Sequence, residues 1–385
     1  MKQGMRPVSG LGLAVLLWGL VIAPAVARAA EGENAGARAA STSLPFTAAP
    51  VAAFDTPWAI AFLDGEQMLI TEKPGRMWLV SVRGQKIPVQ NVPQVAYGGQ
   101  NGLLDVAQSP DFAATGRVYF SYVEPGAGGS GLALARARLV KGEAAARLDD
   151  VDVIWRQLPK GQGSQPGGII AFAPDGRHLF LTSGDRRRPE TAQDPDIALG
   201  KVLRLNLDGS TPADNPMAGQ GGVRAQVWTL GHRNPYGLAF APDGKLWLHE
   251  MGPRGGDELN LIEPGRNYGW PLVSNGDNYD GTPIPRHATR PDLQAPALYW
   301  TPIVAPAGLA FYDGPLFPQW RNSALIGGLA SRVLIRVTFD AAGAPHESDR
   351  WQMDNRIRDV AVSPDGAVWL IEDRSPGRLL RLTPR

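Results

Sequence analysis

The segment Gly237–Glu250, GLAFAPDGKLWLHE, decides the fold. It reads as a small residue, an apolar-x-apolar strand, a Pro-Asp-Gly turn and a second strand in which Leu246 and Leu248 alternate with other residues. The same frame recurs as AIAFLDGEQMLITE from Ala59, LLDVAQSPDFAATGRVYFSYVE from Leu103, IIAFAPDGRHLFLTSGD from Ile169, GLAFYDGPLFPQWRNSALIGGL from Gly308 and IRDVAVSPDGAVWLIED from Ile357. Most copies run on into a further strand such as RMWLVSV, KVLRLNL, RVLIRVTF or RLLRLTP, and helical periodicity is nearly absent. Repeats of this kind, each a small antiparallel meander, predict an all-β, six-bladed β-propeller, because closing the ring protects strands that would otherwise be exposed edges. A β-sandwich with coincidental Asp-Gly turns is the competing architecture; it leaves the recurring apolar frame before each turn unexplained.

Upstream of the repeats, residues 1–27 read as a secretion signal: Lys2 and Arg6, an apolar run from Leu11 to Ala23, and Ala25-Val26-Ala27 as a small-x-small cleavage site. The mature chain is therefore expected in the periplasm. The apolar run is shorter than the roughly 18–20 residues a membrane span needs, and no later segment is apolar enough. Residues 28–45, rich in Ala, Gly, Ser and Glu without periodicity, are expected to form a flexible tether. Residues 46–385 are expected to form one domain, since 46 glycines and 34 prolines are spread with no second linker. The absence of cysteine excludes disulfides, thiolate metal sites and a lipid-modified cysteine. Formal net charge is +1, and −1 once the leader takes away Lys2 and Arg6; nothing suggests nucleic acid.

Loops entering the first strand of each repeat are the ones to inspect in a propeller. Leu246 to Pro271 reads LWLHEMGPRGGDELNLIEPGRNYGWP. Gly252, Pro253, Gly255 and Gly256 let backbone carbonyls turn inward, and Asp257, Glu258, Asn260 and Tyr268 add oxygen donors that suit a hard cation. A tight turn with its polar side chains in water is the equal alternative. Gln100, in GGQNG, offers a donor and an acceptor to a planar polar ligand, or merely satisfies its own loop. The Asp185-Arg186-Arg187-Arg188 run reads as a solvated loop rather than a site. Gly231-His232-Arg233-Asn234-Pro235 brings a guanidinium, an amide and an imidazole to the start of an inner strand. Tyr279 supplies an aromatic wall for a flat ligand. Arg356 and Arg358 alternate and so share a face; with Arg233 they would converge only on an anion, since three guanidiniums otherwise repel.

Together, GGQNGLLDV, AQD with GKVLRL, GHRNPYGLAF, GPRGGDELN with GRNYGWP, and RIRDV resemble the soluble, periplasmic aldose sugar dehydrogenases that depend on pyrroloquinoline quinone, within the glucose/sorbosone dehydrogenase group. The resemblance runs from about Phe54 to the C-terminus in the same order, and that family's fold is a six-bladed propeller. It implies that Gln100, Arg233, Asn234, Tyr279, Arg356 and Arg358 contact the quinone, a planar tricarboxylate that needs guanidinium partners. It also implies that the carbonyls of Gly252 and Pro253 ligate a Ca2+ holding the quinone, and that Glu258 and Tyr268, the latter through its backbone oxygen, bind a second, structural Ca2+. The implied activity is oxidation of an aldose at C1 to the lactone by hydride transfer to the quinone, with electrons passing to a periplasmic acceptor.

The chain departs from the family at the base. Relatives place a histidine two residues before the Gly-Gly of the third repeat; this chain reads Ser164-Gln165-Pro166-Gly167-Gly168-Ile169, and the Gln165 amide has no useful basicity. Ile169 replaces an arginine, Ala330 a lysine and Met251 a histidine. A catalytically impaired propeller that binds quinone or sugar without turnover is therefore the second reading. A third, metal-dependent lactone hydrolysis, requires carboxylates converging on a channel metal.

Overall fold

The computed structural model describes Met1, Gly4 and residues 32–385; the expected signal lies almost wholly outside them. The all-β expectation holds: strands dominate, and α-helix among the described residues is confined to Phe112–Thr115. No helix there is long and apolar enough to cross a membrane. The decisive segment folds as read, with Pro235–Phe240 and Leu246–Glu250 antiparallel across the Pro-Asp-Gly turn.

Every other copy of the frame likewise supplies the first two strands of an antiparallel meander. Pro57–Phe62, Gln67–Glu72, Arg76–Ser81 and Lys86–Gln90 follow one another, and parallel pairing of the last with Ala146–Arg156 joins them to Gly129–Val140, Arg117–Gly126 and Leu103–Gln108 in one eight-stranded sheet. Gly167–Phe172 opens a four-stranded sheet ending at Val227–Leu230, and Pro306–Tyr312 opens another ending at Pro345–Gln352. Pro235–Phe240 and Leu246–Glu250 continue into Asp257–Ile262 and Leu298–Trp300. In the last sheet, Ile357–Val362, Val368–Glu372 and Gly377–Pro384 are completed by Phe46–Phe54 from the other end of the chain. The first strands of the copies neighbour one another in sequence order, and Ile357–Val362 returns to Pro57–Phe62, so the array closes on itself.

The last sheet packs on the one before it through aromatics: Phe46 lies edge-on against Trp320 and Trp351, and Trp320 stacks on Phe317 at 4.0 Å and on Trp351 at 5.0 Å.

Each first strand carries a register shift where the frame begins, as between Pro57 and Ala59 or Pro235 and Gly237. Such bulges leave a backbone N–H unpaired. Side chains of the second strands take these groups up and reach the first strand of the next copy. Thr71 Oγ1 accepts from Ala59 N at 3.1 Å and donates to Leu104 O at 2.6 Å. Ser121 repeats this with Asp105 N and Gly168 O, and Thr182 with Ile169 N and Pro235 O. In the next copy His249 Nε2 donates to Gly308 O at 2.9 Å. Gly237 is required there, because a Cβ on it would lie 2.1 Å from the His249 ring.

A cavity of about 280 Å³ runs between the first strands, lined among others by Trp58, Tyr236, Arg358, Asp105 and Asp359. Asp105 accepts from Val106 N and Ile170 N, and Asp359 from Val360 N and Ile60 N, so each carboxylate staples two neighbouring sheets. Burial, and for Asp105 also the Asp359 charge, pushes these carboxyls up to about 8 and about 7. The folded state thus keeps protons that the unfolded chain releases near pH 4. Their contribution is complete below that pH and is lost as pH rises through 7 to 8. Asp359→Asn is expected to flatten the fall in Tm between pH 5 and pH 8; an unchanged slope counts against this assignment.

The segment expected as a tether is bound over its described part. Glu33–Asn34 pairs in parallel with Leu298–Tyr299, and Ser41 bridges to Trp351. Buried Arg350, held by Glu347 at 2.7 and 2.8 Å, donates to the carbonyls of Ala35 at 2.9 Å and Arg38 at 2.8 Å. The correction has a plain cause: the segment docks through its backbone, which a composition reading does not register. Arg350→Ala is expected to open residues 32–45 to limited proteolysis while the rest of the chain stays resistant.

Candidate functional site

Loops preceding the first strands and loops following the second strands meet at one end of the array. Gln165 sits there with φ +60°, buried to 7 % exposure, and its N–H donates to Gln100 Oε1 at 2.8 Å. With its amide oriented to satisfy both neighbours, Gln165 Nε2 donates to Asp185 Oδ1 at 2.6 Å and Oε1 accepts from Arg233 Nη2 at 2.9 Å. Gln100, Gln165, Asp185 and Arg233 therefore form one hydrogen-bonded chain.

Arg233 lies over Trp270 and Tyr279, 5.3 and 5.8 Å from the ring centroids. Its Nη1 donates to Met251 O at 3.0 Å and Gly252 O at 2.8 Å, and its Nη2 also reaches the Tyr279 hydroxyl at 3.2 Å. Asp185 accepts from Arg187 N and from Trp270 Nε1, each at 2.9 Å. Burial pushes the Asp185 carboxyl up to about 6, against the pull of these donors and of Arg233. These side chains line a cavity of about 500 Å³ whose walls include Pro253, Asn278 and Ile284. Gln193 braces it from behind, donating to Trp270 O at 2.7 Å and exchanging hydrogen bonds with Asn267.

Arg356 and Arg358 do not join Arg233. Both pair with Asp373, at 2.9 and 3.0 Å, and Arg358 lies over the Tyr236 ring in the central cavity. Although burial alone would raise it, Arg358, Lys73 and Arg356 hold the Asp373 carboxyl down to about 2. Three cations thus surround one carboxylate and leave an excess of positive charge there; Asn234, next to Arg233 in the chain, has a buried Oδ1 without a hydrogen-bond partner.

The expected cation loop is more occupied than its sequence suggests. Gly252 O is engaged by Arg233, and Asp257 is spent on backbone, accepting from Gly252 N, Val304 N and Ala305 N. Pro253 faces the large cavity. Glu258 lies between Asn260 Nδ2 at 3.1 Å and His287 Nε2 at 3.3 Å, with Asn260 Oδ1 and His287 Nδ1 unpartnered. The Tyr268 hydroxyl donates to Leu261 O and accepts from Glu263 N, so only its backbone oxygen is left for an ion. A void of about 10 Å³ between Glu250, Glu258, Gly252 and Ser274 has the size of one ion or water. No cluster of three or more His, Asp or Glu suited to a metal occurs among the described residues. His232 is buried between Thr229 and Glu250, stacked on Tyr268, and does not line the large cavity.

Reading the Asp185–Arg188 run as solvated misses the two buried residues it contains. Asp185 is described above; Arg186 is fully buried and donates to Asn101 Oδ1 at 2.6 Å and Ser130 Oγ at 2.9 Å. The signal was positional. Acidic residues close the second strands at Glu72, Glu250 and Glu372, all buried, and Asp185 follows the second strand of its own copy. Lys73 was missed for a similar reason, one residue beyond Glu72.

The fold and site define a ring-closed all-β protein with a polar cleft built around Arg233 and Asp185. The chain belongs to the glucose/sorbosone dehydrogenase family, which it matches over residues 54–381. It is 40% identical over 343 residues to the aldose sugar dehydrogenase YliI of Escherichia coli K12, covering 86% of this chain and 91% of that one. A glucose dehydrogenase crystal structure is 45% identical with a TM-score of 0.83, covering 87% of this chain and 99% of the other. The PQQ-bound form of an aldose sugar dehydrogenase from Streptomyces coelicolor is 27% identical with a TM-score of 0.73, over 90% and 100% of the two chains.

Proposed function

We propose that this chain is an exported, six-bladed propeller that binds pyrroloquinoline quinone and Ca2+ and oxidises an aldose at C1 to its lactone, electrons then passing to a separate periplasmic acceptor. The observation that carries the reading is the cleft in which Arg233, Gln165, Gln100 and Asp185 form one hydrogen-bonded chain beside the unpartnered Asn234 Oδ1. These residues fit a planar polyanion. Trp270 and Tyr279 offer flat faces, and Lys73, Arg356 and Arg358 outnumber the carboxylate between them. When bound, the quinone supplies the hydride acceptor. Arg233, Arg356 and Arg358 hold its carboxylates, and Asn234, Gln100 and Tyr279 orient it. The closed return of Ile357–Val362 onto Pro57–Phe62 supports the blade count. Glu258, the Tyr268 carbonyl and the adjoining void suit a structural Ca2+. A Ca2+ on the Gly252 and Pro253 carbonyls would require Arg233 to give up its bond to Gly252 O.

Reconstituting the mature protein with quinone and Ca2+ and following bleaching of the oxidised cofactor as aldoses are added tests this reading. Bleaching is expected. Binding without bleaching supports instead a binding propeller without turnover, a reading favoured by one observation: the base position holds an amide locked between Asp185 and Arg233. No binding at all overturns both.

A further inference from the structure

We infer that Asp185 is the proton acceptor for the sugar hydroxyl, taking the role that the Gln165 amide cannot fill. The inference rests on the quinone-dependent reading and deepens it. Among the described residues lining the large cavity, the groups able to gain or lose a proton are Asp185, Arg187, Arg233 and Tyr279. Both arginines are permanently protonated and a tyrosine hydroxyl ionises near pH 10, which leaves one base for work near neutrality. Gln165 donates its amide N–H toward Asp185, so this side chain presents no acceptor of useful basicity and instead fixes the carboxylate's position.

The carboxylate is prepared for the task. Oδ1 takes the Arg187 N–H and the Gln165 amide, whereas Oδ2 takes the Trp270 indole alone and keeps a lone pair free. Asp185 N–H donates to Arg233 O at 2.8 Å, which ties the acid to the residue assigned to the cofactor. The charged groups around it are Arg233, which favours the ionised form, and Glu250, which opposes it. With burial as the largest influence, the carboxyl titrates at about 6, where it is ionised yet basic at neutral pH. In the step, the O–H bond of the C1 hydroxyl breaks and its proton goes to Asp185. The C1–H bond breaks with its electron pair leaving as hydride to the quinone. C1 becomes the carbonyl carbon of the lactone.

Asp185→Asn tests this. Expected are unchanged quinone binding, measured by spectral titration, and a fall of about 10²-fold or more in the rate of cofactor bleaching by aldose. In the wild type that rate rises with pH through about 6. Asp185→Glu restores part of what asparagine loses. A readout independent of turnover uses the cofactor-free protein: tryptophan fluorescence shows a pH step near 6 through Trp270, absent from Asp185→Asn and from Trp270→Phe. Wild-type bleaching rates in Asp185→Asn, or a fluorescence step that persists in it, overturn the inference. If Asp185→Asn does not fold, a flat wild-type pH profile overturns it equally. Wild-type protein that binds no quinone removes the functional reading itself, and binding without bleaching removes the base and leaves the binding reading standing.

Discussion

Gln165→His raises the rate of cofactor bleaching by about 10²–10³-fold. The position accepts the change: at φ +60° the backbone is left-handed, a region in which histidine is several-fold enriched over other residues. Its neighbours suit an imidazole as well as an amide. Asp185 Oδ1, now 2.6 Å from the Gln165 amide nitrogen, would accept from one ring nitrogen and leave the other to the substrate. Arg233 opposes protonation of the new ring and Asp185 favours it, so the two neighbours act against each other. Asp185 then changes from acceptor to positioning residue, and the double substitution Gln165→His with Asp185→Asn loses less than Asp185→Asn alone. Stopped-flow bleaching with saturating aldose measures both. The absence of any gain in Gln165→His would trace the deficit to Ile169 and Ala330, which replace charged residues of the relatives.

Asp257→Ala costs about 3–5 kcal/mol of stability. One fully buried carboxylate caps three backbone N–H groups, Gly252 at 2.9 Å and Val304 and Ala305 at 2.7 Å, and alanine orphans all of them where water does not easily reach. Each buried donor left unpaired costs about 1–3 kcal/mol. Denaturant unfolding is expected to show a lower midpoint with an unchanged slope. Because Gly252 belongs to the same loop as the Pro253 wall of the cleft, the variant also weakens quinone binding in the fraction that remains folded.

How much of this was legible in the sequence depends on where the information resides. The frame from Gly237 to Glu250 announced two strands and a turn, and those elements lie where the pattern put them, because alternation and Asp-Gly turns are local signals. The Arg233-Asn234 loop was found for the same reason, standing directly before a first strand. Asp185 and Arg186 were not, since a run of three arginines normally lies in water and nothing local says that Asn101 and Ser130, from other loops, will receive one of them. The hydroxyls of Thr71, Ser121 and Thr182 escaped notice too. Their partners are backbone groups of the next copy, and pairing of that kind leaves no composition or period to read. The pairing of Arg356 and Arg358 with Asp373 is invisible for the same reason, because the carboxylate lies just past the end of the following strand rather than beside them in the chain.

The pairing of Phe46–Phe54 with Gly377–Pro384 also governs when this chain acquires its structure. A strand at the start of the domain pairs with one at the end, so this sheet cannot be completed until Gly377–Pro384 are available. The entropy of bringing such distant ends together falls on a late step of folding. A chain halted before Gly377 would carry unpaired edges on both sides of the gap, an invitation to associate with its neighbours. Synthesis and folding are thereby separated in time, and the order of assembly is written into the position of a single strand.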